Sequence, residues 1–383
     1  MYKRPDYETA RAKTTFSWHV GATYLSYIEL ANVPIHEFFQ DPNACIEAYR
    51  TGRVRAKELF GPDVSLPGPA TPPVSYGHPS GLGAKLYFPE GGEVAVEHLC
   101  ADSLDHGIEV LRRPVDFATA GMAPFYLEFR EKLRAAFPGE AVGLSYGLEG
   151  PITTAYELRG DAFFLDPFDE PEKTKEFLRL LTASILDFHA FRCRLDGREP
   201  LNPSSAGMCD DLSSMLPPRL WEEFVLPYWD QYYSGMTTGT RSAHVENLKP
   251  DQLPFLEDIG LCFYDPSISA DLDPKVIAAR CRVPFLWRLG SFHYRTMSCH
   301  DVRDFVFQAV ADGASQVCTH FEGSCMCDAA TVAKVQALIQ AGKEVRAALQ
   351  NGGTRAEIAT WVSAEGRRRF WALWPDQRLS RCA

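Results

Sequence analysis

The sequence predicts an α/β protein built as a (β/α)8 TIM barrel with an irregular N-terminal extension. Three observations carry this. From about residue 140 short apolar runs alternate with stretches of helical period, six such units follow one another, and a turn signal separates each run from the next. Strands that alternate with helices pair in parallel, and six successive units fit a closed barrel better than a short doubly wound sheet.

In order, "AVGLSYG" (141–147) is a strand candidate. The next segment carries Phe177, Leu180, Leu181, Ser184, Ile185 and Phe188 at helical spacing, behind Asp169 and Pro171 as a start signal. "NPSSAGMCDD" then leads into "PPRLWEEFVLPYWDQYY", "TRSAHVE" into "KPDQLPFLEDIG", and "LCFYDPS" into "DPKVIAARC". "VPFLWRLGSF" precedes "HDVRDFVFQAVADGA", where Val302, Phe305, Val306, Ala309 and Val310 form one stripe that Gly313 ends. "SQVCTHFEG" precedes the last long helical stretch, "DAATVAKVQALIQAGKEVRAALQ". The domain reading is one barrel over 1–350, with residues 1–90 as decoration rich in Pro and Gly, followed by a tail, 351–383, that suits an oligomer contact.

With 45% hydrophobic and 23% charged residues the chain has globular composition, which excludes disorder as a whole. A formal charge of -11 leaves no basic excess to neutralise phosphates, so neither nucleic acid nor an anionic membrane is an expected partner. The first residues show no apolar run after their basic ones, and no window is apolar enough to span a bilayer, so the expected location is cytoplasmic. Eleven cysteines in such a chain read mostly as free thiols, a minority of them ligands.

"RSAHVENLKP" (241–250) carries the chemistry. Alternate strand residues point the same way, so His244 and Glu246 can reach one point at a strand's C-terminal end while Val245 packs away. The final unit adds Glu322, Cys325 and Cys327. His244, Glu246 and Cys325 would make a zinc site of nitrogen, oxygen and sulfur with one position open, with Cys327 and then Glu322 as substitutes for Cys325. On spacing alone a satisfied histidine beside a solvent-facing glutamate explains the pair better. Asp211 and Tyr146 are candidate catalytic groups, and Asp210 and Tyr264 candidate substrate contacts, because each stands near the end of an expected strand. Trp18, His19, Trp287, Phe292 and His293 are candidates for an aromatic lining, and Cys318 and His320 are read as alternate positions on the last strand.

"DDLSSMLPPRLWEEFVLPYWDQYY" resembles the "LSPxxFxEFxLPY" segment of the uroporphyrinogen decarboxylase superfamily. "LSYGLEGPITTAYELRG" and "GSCMCDAATVAKVQALI" are similar to that superfamily's glycine-proline strand end and closing segment, in the right order. The resemblance implies a (β/α)8 barrel. The tetrapyrrole decarboxylases of the superfamily carry an N-terminal "RQAGRY"; here "TFSWHVGATYLSYIEL" has no arginine to hold a polycarboxylate, which disfavours that substrate. The zinc methyltransferases of the superfamily use a His-x-Cys pair and a later Cys. His244 matches that histidine, Cys325 lies 81 residues on, and Glu246 stands where the first cysteine usually is. A His, Glu, Cys set resembles members that demethylate methoxylated compounds, and carboxylate in place of thiolate leaves a harder metal suited to an oxygen ligand.

The expected function is therefore methyl transfer from an O-methyl donor, such as a methoxylated aromatic, to the cobalt of cobalamin on a separate corrinoid protein; the chain lacks the "DxHxxG" cobalamin segment. Its rivals are a metal-free decarboxylase or lyase with Asp211 as the acid, a corrinoid:thiol methyltransferase, and a non-catalytic binding protein on the same scaffold.

Overall fold

Two three-stranded parallel sheets organise the molecule. The computed structural model describes residue 2 and residues 4–13, 15–321 and 328–369 of the 383-residue chain. Its strands are β1 (Ser17–Ala22), β2 (Leu86–Tyr87), β3 (Ala95–Val96), β4 (Ser205–Cys209), β5 (Thr240–His244), β6 (Phe263–Asp265), β7 (Leu286–Leu289) and β8 (Gln316–Phe321). One sheet has the order β1-β8-β7, the other β4-β5-β6, and β2 with β3 forms a small antiparallel pair. A bridge between Tyr264 and Phe285 joins the two large sheets, and Gly21 bridges Ser65 beyond β1.

The segment 141–147, expected as a strand, is bridged only at Gly143 to Ala70 and at Tyr146 to Val74. Toward β4, the Gly150 N–H donates to the Cys209 carbonyl at 2.6 Å. Proline and glycine on the 65–74 side interrupt regular pairing here, since proline offers no ladder N–H.

The helices follow the apolar stripes. In Pro171–Leu195, Phe177, Leu181, Ile185 and Phe188 are wholly buried, and in Cys299–Ala311 so are Val302, Phe305, Val306, Ala309 and Val310. Each of these side chains other than Ala309 contributes about 1.5–3 kcal/mol by leaving water. Ser298 and Asp301 form a capping box, Ser298 Oγ accepting from the Asp301 N–H at 3.2 Å and Asp301 returning the bond at 2.8 Å. "PPRLWEEFVLPYWDQYY" is not one helix: it breaks into Pro218–Leu220, Trp221–Phe224 and Leu226–Met236, because Pro227 cannot donate the bond that would carry the helix past Val225.

Beyond the long helix Ala329–Gln350, Arg355–Trp361 lies on the helix Cys299–Ala311, with Ile358 buried and Trp361 edge-on to Phe307 at 5.3 Å. All eight cysteines among the described residues are free thiols. No described helix is long and apolar enough to cross a membrane.

Candidate functional site

β5 delivers His244 at its last position, in register with Cys209 on β4 and Asp265 on β6. Beyond it the chain stays extended long enough for Val245 to bury completely, its N–H donating to the Asp265 carbonyl at 3.1 Å. Asn247, with φ 57°, then turns the chain. Glu246 therefore emerges on the same side as His244, as the alternation predicts.

The imidazole is held from behind. Asp265 Oδ2 lies 3.0 Å from Nδ1 of His244 and accepts from Arg288 Nη2 at 2.6 Å. The Ser267 N–H donates to the other Asp265 oxygen at 2.8 Å, and the Ser267 hydroxyl reaches Glu246. The free Nε2 of His244 faces Asp211 Oδ1 and Glu246 Oε1, each at 3.7 Å, which is contact between charges and too long for a hydrogen bond. The Glu246 N–H donates to Asp211 Oδ1 at 2.9 Å and so fixes that carboxylate at the mouth.

These contacts set the protonation states. Burial acts to lower the His244 pKa, but Asp265, Glu246 and Asp211 outweigh it and lift the free imidazole to about 10. His244 in turn draws Glu246 below the usual carboxylate range. Asp265 is held low too: against its burial stand His244 and Arg288. Burial raises Asp211, only partly offset by His244. It raises Glu149, on the loop just after 141–147, to about 7, with Asp211 adding to the effect.

Asp210 lies behind this group and is fully buried, one oxygen accepting from the Thr153 N–H at 2.7 Å and the other from Trp229 Nε1 at 2.5 Å. Tyr264 is fully buried as well, its hydroxyl donating to the Val245 carbonyl at 3.0 Å, so it supports the backbone between His244 and Glu246. Tyr146 stacks on Tyr126 at 5.2 Å within the core. The structure thus brings Asp211, His244 and Glu246 together and sets Asp210, Tyr264 and Tyr146 in packed surroundings. Cys325, with Glu322 and Cys327, lies outside the described residues. Among the described residues no group of three or more His, Cys, Asp or Glu side chains is arranged to hold a metal.

Below the mouth a cavity of about 880 Å³ opens between the two sheets, lined by His244 and Asp265 on one and by His19, Cys318 and His320 on the other. His19 and His320 stand 5.3 Å apart, and burial together with the Arg288 charge lowers both, His320 to about 4. Cys318 and His320 do occupy alternate positions of β8, both turned inward. Trp18 does not join this lining: it packs against Gly342 of the long helix, while Trp287 is buried and Phe292 is exposed.

Asp265, Arg288 and Glu149 escape sequence reasoning. Asp265 could have been found as an acidic residue ending a strand in "FYDPS", next to the register position of His244; Glu149 has only its place after a strand end as a signal.

Residues 76–265, which include Asp210, Asp211, His244, Glu246 and Asp265, match the uroporphyrinogen decarboxylase (URO-D) family. The fold is similar to that of a methyltransferase from Methanosarcina mazei, with a TM-score of 0.62 at 17% identity, covering 88% of this chain and 97% of that one. No curated protein sequence matches the chain. These likenesses define an α/β protein with a URO-D-like region and a methyltransferase-like fold.

Proposed function

We propose that the chain is a zinc-dependent methyltransferase of the uroporphyrinogen decarboxylase superfamily, its strand segments closing into a (β/α)8 barrel. It moves a methyl group from an O-methyl donor, with methoxylated aromatics as the class to try first, to the cobalt of a partner corrinoid protein. The observation that carries this reading is the Asp265–His244 contact. A carboxylate on one ring nitrogen fixes the tautomer and turns the other nitrogen outward as a ligand, the usual support of a metal-binding histidine.

The donor set fits zinc in type: His244 Nε2 and Glu246 are the two described donors, and Cys325 is the proposed third. Zinc bound there supplies Lewis acidity toward an ether oxygen. The protein's own groups do the rest. Asp265 and Arg288 hold the imidazole, the Glu246 N–H orients Asp211, and Asp211 stands where it can give a proton to the departing oxygen. The Asp210 N–H on the His244 carbonyl, at 3.1 Å, and the Tyr264 hydroxyl on the Val245 carbonyl hold the backbone that bears both described ligands.

Elemental analysis of the wild type, His244→Ala and Cys325→Ala tests the reading. About one zinc per chain in the wild type, lost from both folded variants, supports it; a wild type purified without chelator and free of zinc overturns it. A second reading, a metal-free decarboxylase or lyase, is favoured by one observation: Asp211, Glu246 and Asp265 surround His244, a set that a protonated imidazole would balance without metal. Activity that survives chelation separates the two.

A further inference from the structure

The cavity below the mouth does not end at the imidazoles. It runs the length of β4, from Cys209 back to Ser205, and continues beside that strand toward Arg192 and Arg198. β4 leaves the way open. On the side away from β5 its described partners are the Tyr232 hydroxyl, donating to the Gly207 carbonyl at 3.3 Å, and the Gly150 N–H on the Cys209 carbonyl. The strand and segment 141–147 thus meet near their C-terminal ends and part below. Small side chains widen the space: a Cβ added at Gly207 would meet only Ser242 Oγ, at 3.4 Å. In most barrels bulky branched residues fill this level.

Arg192 is the unusual group on this wall. Its Nη2 donates to the Leu144 carbonyl at 3.0 Å, and its Nε is buried without a partner. Among the described residues no carboxylate forms an ion pair with it. Asp196, the acid whose charge acts on it, is taken by Arg130 at 2.6 Å and Arg198 at 3.0 Å. Three guanidinium groups around one carboxylate make a local positive excess in a chain of net charge -11. A half-buried cation without a counter-ion is costly, and an anionic ligand in the cavity would supply one. Glu199 lines the outer rim, where it is exposed, and offsets the excess least in the interior.

We propose that this cavity binds a small organic carboxylate that enters from the N-terminal side of the β4-β5-β6 sheet. The carboxylate sits on Arg192, and the apolar body lies along Leu148, Gly207 and Met236 toward His244. Arginine suits this role because its planar fork matches a carboxylate in two bonds. The volume is within the range of small-molecule sites. This inference needs neither zinc nor a corrinoid partner, so it can stand or fall apart from the methyltransferase reading.

The test is direct binding of 2-naphthoate, followed by its own fluorescence, to the metal-free full chain, with neutral 2-naphthamide as control. Saturable naphthoate binding is expected, weakened at least about tenfold by Arg192→Met and less by Arg192→Lys, which keeps the charge without the fork, with naphthamide indifferent to both. Gly207→Val, a substitution that suits a strand, should exclude both probes while unchanged thermal melting shows the fold intact. Equal naphthoate affinity in wild type and Arg192→Met, no saturable binding by the wild type, or undiminished binding by Gly207→Val would each overturn the proposal.

Discussion

Asp265 sits between His244 and Arg288, 3.0 Å from the imidazole Nδ1 and 2.6 Å from the guanidinium, so one carboxylate oxygen serves two cations. The imidazole cannot rotate without breaking that contact. Replacing Asp265 by Asn should therefore keep the fold but weaken metal binding by about 10–100-fold, the usual cost of losing such a support. Competition with a chromogenic chelator reads this out; unchanged zinc affinity in Asp265→Asn would mean the carboxylate does not orient the ligand.

Asp211 differs from its neighbour in being open to the mouth, with 37% of its side chain exposed, and in being aimed by the Glu246 N–H. Asp211→Asn should lower the turnover of methyl-cobalt formation by about 10²–10⁴-fold with little change in KM, as expected when a general acid is lost. A change confined to KM would assign Asp211 to binding alone.

Glu149 gives the metal-free chain a pH dependence. Its folded pKa of about 7 lies above its ordinary 4.5, chiefly through burial, so the folded state favours the protonated form. The stability it contributes is full below about 4.5 and is lost as pH rises through 7. Urea unfolding midpoints of wild type and Glu149→Gln, compared from pH 5 to 8, should converge at the acid end and favour the variant at the other. Parallel profiles would remove Glu149 from this account.

Tyr264→Phe should cost about 1–3 kcal/mol, because the buried Val245 carbonyl loses its hydroxyl donor. Zinc content should hold. Chemical denaturation measures the first and elemental analysis the second, and a full loss of zinc in a stable variant would give Tyr264 a closer role than backbone support.

Gly342→Ala should destabilise by about 1–3 kcal/mol, since the new methyl would stand 2.5 Å from Cγ of Trp18. Thermal melting decides. An unchanged midpoint would show that the long helix can shift away from β1.

Much of this was legible because one physical rule, the period of side chains, governs both elements and site. The stripes of Pro171–Leu195 and Cys299–Ala311 bury as their spacing predicts, and the same rule puts His244 and Glu246 on one side with Val245 buried between them. Asp265 was not legible, because its importance comes from parallel register with His244, a relation between residues 21 apart that no local pattern encodes. Segment 141–147 failed as a regular strand for a similar reason: its partner is a Pro-rich stretch that pairs at isolated points. Asp210, Asp211, Tyr146 and Tyr264 were indistinguishable as residues near strand ends. Only packing separates Asp211, open at the mouth, from the three that lie buried.

Ser267 holds φ at 50°, a conformation that costs a non-glycine residue roughly 1–2 kcal/mol. A glycine would relieve that strain and keep the N–H that binds Asp265, but not the hydroxyl that reaches Glu246. The serine therefore faces two acids at once, Asp265 through its N–H and Glu246 through its hydroxyl. The strained turn after β6 thus places one residue against both carboxylates that flank His244 in the chain's fold, one fixed by a backbone N–H and the other faced by a side chain.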